Sequence, residues 1–179
     1  MRELPLKNIE KRLLGHPFIR TVEASVDQQG ILKLSLTQHE PMARIARPET
    51  ADGYITKEGL LIATSPSYTS RVLIIQGVYI GSLMDQGRID AMPELIPLIR
   101  FISQDKFWSA QVTELEINGR NDIRIHQQVG KQVIEFGDAR DFESKFDRIA
   151  VLYKEILPRK GWDAYERISV KYKNQIVCE

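Results

Sequence analysis

Cysteine is nearly missing from this chain of 179 residues. Cys178 stands alone, which excludes an internal disulfide and a multi-cysteine metal site. Long apolar runs are missing too. The longest, Ile149 to Tyr153, falls far short of the ~20 residues that cross a bilayer. Met1-Arg2-Glu3-Leu4-Pro5 leads into no long apolar stretch, so the start does not read as a signal peptide. Neither charge dominates. The 25 Lys and Arg against 24 Asp and Glu leave a formal net charge of +1, which gives no electrostatic case for nucleic acid. No low-complexity segment, like-charge block or repeat interrupts the chain. What is present is ordinary globular usage, 42% apolar and 27% charged. A chain of this length forms one domain or two small ones and buries about 70% of its unfolded surface.

The pattern changes near Pro41. Before it, Leu6, Ile9, Leu13 and Leu14 fall at helical spacing, and Gly15 and Pro17 end that helix. Strict alternation follows, with Val22, Ala24 and Val26 on one face. Asp27-Gln28-Gln29-Gly30 turns the chain, and Leu32, Leu34 and Leu36 resume the apolar face. A helix with two antiparallel strands of about 38 residues is a coherent unit but a marginal one alone.

After Pro41, Met42 to Ala46 reads as extended and Ala51-Asp52-Gly53 as a turn. Tyr54-Ile55-Thr56 and Leu60-Leu61-Ile62 flank Lys57-Glu58-Gly59 as a second hairpin. Thr64 to Ser70 is a polar loop, and Val72 to Ile75 a short buried strand. A helix is expected between Asp90 and Gln104, with Met92, Leu95, Ile96, Ile99 and Ile102 as its stripe. Pro97 in that helix demands a kink or a late start. Val112–Ile117, Ile123–Gln127 and Gln132–Phe136 form a meander, turned by Asn118-Gly119 and Val129-Gly130-Lys131.

Asp141 to Leu157 carries a strong helical stripe of Phe142, Phe146, Ile149, Ala150, Tyr153 and Ile156. Lys145 lies off that stripe, and Asp138 or Asp141 is placed to cap the start. A strand from Glu166 to Tyr172 and a short one within Gln175 to Glu179 complete the chain. The fold class is α+β, mostly antiparallel, with two or three helices on the sheet.

A search for chemistry finds no catalytic, cofactor or metal constellation. His39-Glu40 opens like a zinc-protease motif, but Ala43 stands where the second histidine is needed. Gly130-Lys131 is not a phosphate loop, because Ile125 replaces its first glycine and Gln132 its hydroxyl residue. His16, His39 and His126 lie in separate elements and read as turn or surface residues. Glu114 and Glu116 alternate with Leu115 and Ile117, as on a solvated strand face. Cys178 reads as a small apolar filler, and Phe107-Trp108 as the edge of the core. What remains is the end of the chain, Tyr172 to Glu179. A terminal strand there either offers a free edge to a partner, pairs internally, or frays.

The order of segments resembles one family, the bacterial cell-division protein FtsQ/DivIB, and most closely its Bacteroidetes members. Leu13-Leu14-Gly15-His16-Pro17-Phe18-Ile19 and Val22 to Val26 resemble the second helix and second strand of that family's POTRA domain. Leu32 to Leu36, then Glu40-Pro41-Met42-Ala43, resemble its last strand and the junction into the β domain. Tyr54 to Gly59 is similar to the next hairpin, although Thr56 stands where an aspartate is usual. Phe136-Gly137, Lys145-Phe146 and Trp162 through Cys178 resemble the family's ending, the most specific part of the match.

The resemblance implies a truncated POTRA-like domain at residues 1–41 and an FtsQ-type β domain at 42–179. It implies a non-enzymatic divisome scaffold of the cell inner membrane, single-pass, with this region in the periplasm and its anchor helix absent. Its partners would be FtsB- and FtsL-like division proteins, with FtsB adding a strand at the C-terminal edge. Carried over by position, that contact falls on Lys171, Tyr172, Lys173, Asn174, Gln175, Ile176 and Val177, with Tyr172 as anchor. The alternative is a POTRA-type chaperone or interaction module of envelope biogenesis, which would need tandem repeats or a barrel.

Overall fold

The structure is a computed structural model and describes residues 5–179. Among them the strands fall into two separate sheets. The first belongs to a small N-terminal unit. Helix α1 (Leu6–Leu14) precedes strands β1 (Ile19–Val26) and β2 (Leu32–Gln38), which pair antiparallel with Ala24 opposite Leu34. Asp27 closes their turn, its Oδ1 accepting the N–H groups of Gln29 and Ile31 at 3.0 Å each. Helix α1 packs on β1, and Glu10 Oε1 accepts the free Ala24 N–H at 2.8 Å. The cover is thin: α1 contributes no buried residue, and Leu34 and Leu36 remain 43% and 45% exposed.

The second sheet has nine strands. Pro41, which lacks a donor, starts its first strand β3 (Pro41–Ile45). Then come β4 (Gly53–Thr56), β5 (Leu61–Ala63), β6 (Leu73–Gln76), β7 (Val112–Gly119), β8 (Asp122–Gln127), β9 (Val133–Gly137), β10 (Arg167–Ser169) and β11 (Val177–Cys178). Their order across the sheet is β11-β10-β9-β8-β7-β6-β3-β4-β5. Only β3–β6, β6–β7 and β9–β10 run parallel. The fold is therefore α+β and mostly antiparallel. Helices α2 (Val78–Asp85), α3 (Leu95–Gln104) and α4 (Lys106–Gln111) cross from β6 to β7. Helices α5 (Phe142–Val151) and α6 (Leu157–Lys160) cross from β9 to β10.

All of this packs on one face of the sheet. Ile75, Leu115, Ile125, Ile134 and Ile168 lie in register across five strands, each fully buried beneath Leu98, Ile99, Phe146, Ile149 and Leu152. The other face carries Glu114, Glu116, Arg124, His126 and Glu135 in water. This corrects the expectation of a buried β6, because Ile74 lies on the open face while Ile75 lies in the core. Gly77 follows β6 with φ of 126°, and a Cβ there would sit 2.3 Å from the Ile117 carbonyl oxygen. The close approach of β6 to β7 requires a residue without a side chain.

Several local expectations change. Pro97 sits in the first turn of α3, so the helix starts late and loses no hydrogen bond. The long helix is split by a π-turn, Leu152–Ile156, which shifts the stripe and buries Leu152 and Leu157. Neither aspartate caps it. Asp141 has φ of 48° and makes no cap bond, while Asp138 Oδ1 binds Lys145 Nζ at 2.7 Å. Lys145 is buried, with Nζ 4.8 Å from the Phe136 ring centroid. The strand expected from Glu166 to Tyr172 narrows to β10, with Val170 N–H still donating to Glu135 O. Helices α2 and α4 carry no strong sequence periodicity, although Asp105 caps α4 by accepting from Phe107 and Trp108.

The small unit meets the β3–β5 end of the sheet. Phe18 is buried edge-on against Tyr54 and Tyr68, with ring centroids 5.8 and 5.5 Å away. Arg20 Nη1 lies 2.9 Å from Glu58 Oε1, and His39 Nδ1 lies 3.7 Å from the other oxygen. Glu58 lies below the usual carboxylate range, chiefly through its hydrogen bond with Thr56.

Candidate functional site

Strand β11 is the outermost strand at the opposite end of the sheet. It pairs antiparallel with β10, Cys178 opposite Ile168 and Val177 opposite Ser169. Beyond that pair, Arg167 N–H donates to Glu179 O at 3.1 Å and Glu179 N–H returns to Arg167 O at 2.9 Å. Antiparallel pairing alternates strictly. Val177 and Glu179 therefore turn their backbone groups inward to β10, while Ile176 and Cys178 turn theirs outward. The side chains sort the other way: Ile176 and Cys178 pack on the core, and Val177 and Glu179 lie on the polar face.

The turn before β11 is fixed to the helical layer. Asn174 adopts φ of 58°, and Gln175 N–H reaches back to Tyr172 O at 3.4 Å. Arg148 of α5 donates to the carbonyls of Tyr172 and Val170 at 2.8 and 3.0 Å. Charge anchors the polar side. Burial works against the ionised form of Glu135, yet Lys171 at 3.2 Å and Arg167 at 3.5 Å hold its carboxyl below the usual range. Burial also pushes the Cys178 thiol up, which keeps it protonated and suits it to packing rather than nucleophilic attack.

The seven residues carried over from the resemblance occupy one continuous stretch here, in three settings. Lys171 is tied to Glu135. Tyr172, Lys173, Asn174 and Gln175 form the exposed turn, with the Tyr172 ring 60% exposed. Ile176 and Val177 form the edge itself. Sequence reasoning missed Cys178 and Arg148. Strand alternation beyond Val177 would have reached Cys178; Arg148 carries no sequence signal, because its contact spans 24 residues. The arrangement can donate and accept backbone hydrogen bonds along a short edge and offer an aromatic ring beside it.

Elsewhere, the clustered titratable groups pair with one another. His126 Nε2 lies 3.2 Å from Glu116 on the open face, and Asp138 bridges Lys145 and Arg140. Burial pushes Tyr153 up to about 12, so it stays neutral, and its hydroxyl donates to Gln127. Among the described residues, no helix is long and apolar enough to cross a membrane.

A search of curated proteins finds no match. The model of one protein family, described as FtsQ/DivIB, C-terminal related, matches residues 40–179. That match takes in the whole nine-stranded sheet and its helices, including the edge just described. The chain belongs to the FtsQ/DivIB family, whose members are membrane-anchored scaffolds of bacterial cell division.

Proposed function

We propose that this chain is the extracytoplasmic part of a non-enzymatic division scaffold, and that a partner docks by adding a strand to β11. The carrying observation is the outward set of backbone groups on Ile176 and Cys178, at the end of a sheet whose interior strands are all paired. Lys171 to Val177 is the docking segment. Tyr172 supplies an apolar ring with a polar tip beside the edge, a residue type favoured as an interface anchor. The partner is an FtsB-like division protein, assembled with an FtsL-like one. A membrane helix preceding this region would place it on the periplasmic side of the inner membrane. The chaperone-module reading needs tandem repeats, and the described residues hold one hairpin unit.

A peptide from the extracytoplasmic segment of the FtsB-like partner tests this by calorimetry. Ile176→Pro deletes an outward donor without touching the ladder to β10, and binding should be lost. Tyr172→Ala should cost about 2 kcal/mol or more if the ring is an anchor. Unchanged affinity in both variants rejects the assignment.

A further inference from the structure

A cleft of about 720 Å³ opens at the leading ends of the parallel strands β3, β6 and β7. That volume falls within the range of small-molecule sites, about 300–1,000 Å³. Strands β6 and β7 pair only from Ile74 and Glu114 onward, although β7 begins at Val112. Short of that pairing the two strands leave a gap, which the end of α3 and helix α4 border without filling. Met42, Leu73, Ile102 and Val112 form an apolar floor, and Met42, Ile102 and Val112 belong to the buried core. No residue of the N-terminal hairpin lines the cleft.

The charge around it has one sign. Among the described residues no aspartate or glutamate lines the cleft, whereas Arg44, Lys57 and Arg71 do. Two of these cations are occupied, Arg44 with Asp52 and Lys57 with Glu40. Arg71 is exposed and enters no ion pair or side-chain hydrogen bond with another described residue. The side chains of Thr113 and Gln128, which also line the cleft, likewise donate to no other described residue. An apolar floor beside a free guanidinium and two unspent donors suits an aliphatic chain that ends in an anion. A chain alone would leave the donors facing hydrocarbon. A bare anion would leave the floor in water, and a cation would meet like charge.

We propose that this cleft binds a short aliphatic carboxylate, with its chain on the floor beside β6 and its head group on Arg71. The planar fork of a guanidinium matches a carboxylate with two parallel hydrogen bonds. Two sources carry that chemistry, a free fatty acid and the carboxyl end of a peptide closing on an aliphatic residue. Strands β8, β9 and β10 lie between the cleft and β11, so the site stands apart from the docking reading.

Octanoate, kept below the concentration at which it forms micelles, is the probe. Titrated into the isotope-labelled chain, it should shift the NMR signals of the Ser70, Arg71, Val72, Leu73, Val112 and Thr113 amides, and the shifts should saturate. Octylamine, with the same chain and the opposite charge, should leave them in place. Acetate, which has no chain to bury, should bind at least about tenfold more weakly. Arg71→Gln changes an exposed side chain and should weaken octanoate about tenfold, equal to about 1.4 kcal/mol. N-acetyl-leucyl-leucine then separates the sources: tighter binding than octanoate names a peptide end, weaker binding names a fatty acid, and either supports the site. No saturable shift at these amides with either ligand overturns the proposal. So do equal shifts with octylamine, or an unchanged affinity in Arg71→Gln.

Discussion

The N-terminal hairpin and the nine-stranded sheet are both built from alternating strands, yet they end up differently packed. In the hairpin, Val22, Ala24, Leu34 and Leu36 alternate as regularly as Leu115, Ile117, Ile123 and Ile125 do in β7 and β8. The second set is fully buried and the first is at most half-buried. The difference is the cover. Three helices cross between β6 and β7 and two more between β9 and β10, whereas a nine-residue α1 lies along one edge of the hairpin. Alternation states which face wants burial; only a second layer provides it.

The largest test of that contrast is in the covered region. Phe146 touches Phe101, Trp108 and Phe136 with ring centroids 5.1, 4.6 and 5.3 Å away. Phe146→Ala should lower unfolding free energy by about 3–5 kcal/mol in urea titration. A loss below 1 kcal/mol would mean that the helix layer is not the source of stability. A subtler comparison uses hydrogen exchange on dilute protein. Amides of residues 6–38 should open well below the global free energy, while β7 and β8 exchange only on global unfolding. Uniform protection across both would erase the distinction.

The smallest effect concerns charge within the covered half. Burial resists ionisation of Asp138, but Lys145 and Arg140 outweigh it and hold the carboxyl below its ordinary value. A depressed folded pKa stabilises the fold at neutral pH, and that contribution is lost as pH falls from the ordinary aspartate range through the lower folded value. Asp138→Asn should therefore be less stable than the unmodified chain near neutrality and converge on it in acid. Parallel urea curves at every pH would show that the pair does not contribute.

The meander and both hairpins were legible because each is a local pattern bracketed by Gly, Asn or Pro. The two short strands at the end of the chain, β10 and β11, were legible from alternation. The rest was hidden for physical reasons. Lys145 lies off the apolar stripe and is buried because it meets Asp138 and the Phe136 ring, contacts that only the tertiary fold creates. The π-turn at Leu152–Ile156 slips the helix phase, so a stripe counted at constant period misses Leu152 and Leu157. The apolar run Val72 to Ile75 reads as a buried strand, yet a sheet with one bare face splits such a run in two.

The sheet's strand order also sets a distance. Eight inter-strand steps of about 4.8 Å separate β11 from β5, so the two ends stand roughly 38 Å apart before twist is counted. The hairpin sits near one end and the Tyr172 turn at the other. The sheet is in effect a ruler: it keeps the Tyr172 turn at a standoff from the N-terminal hairpin.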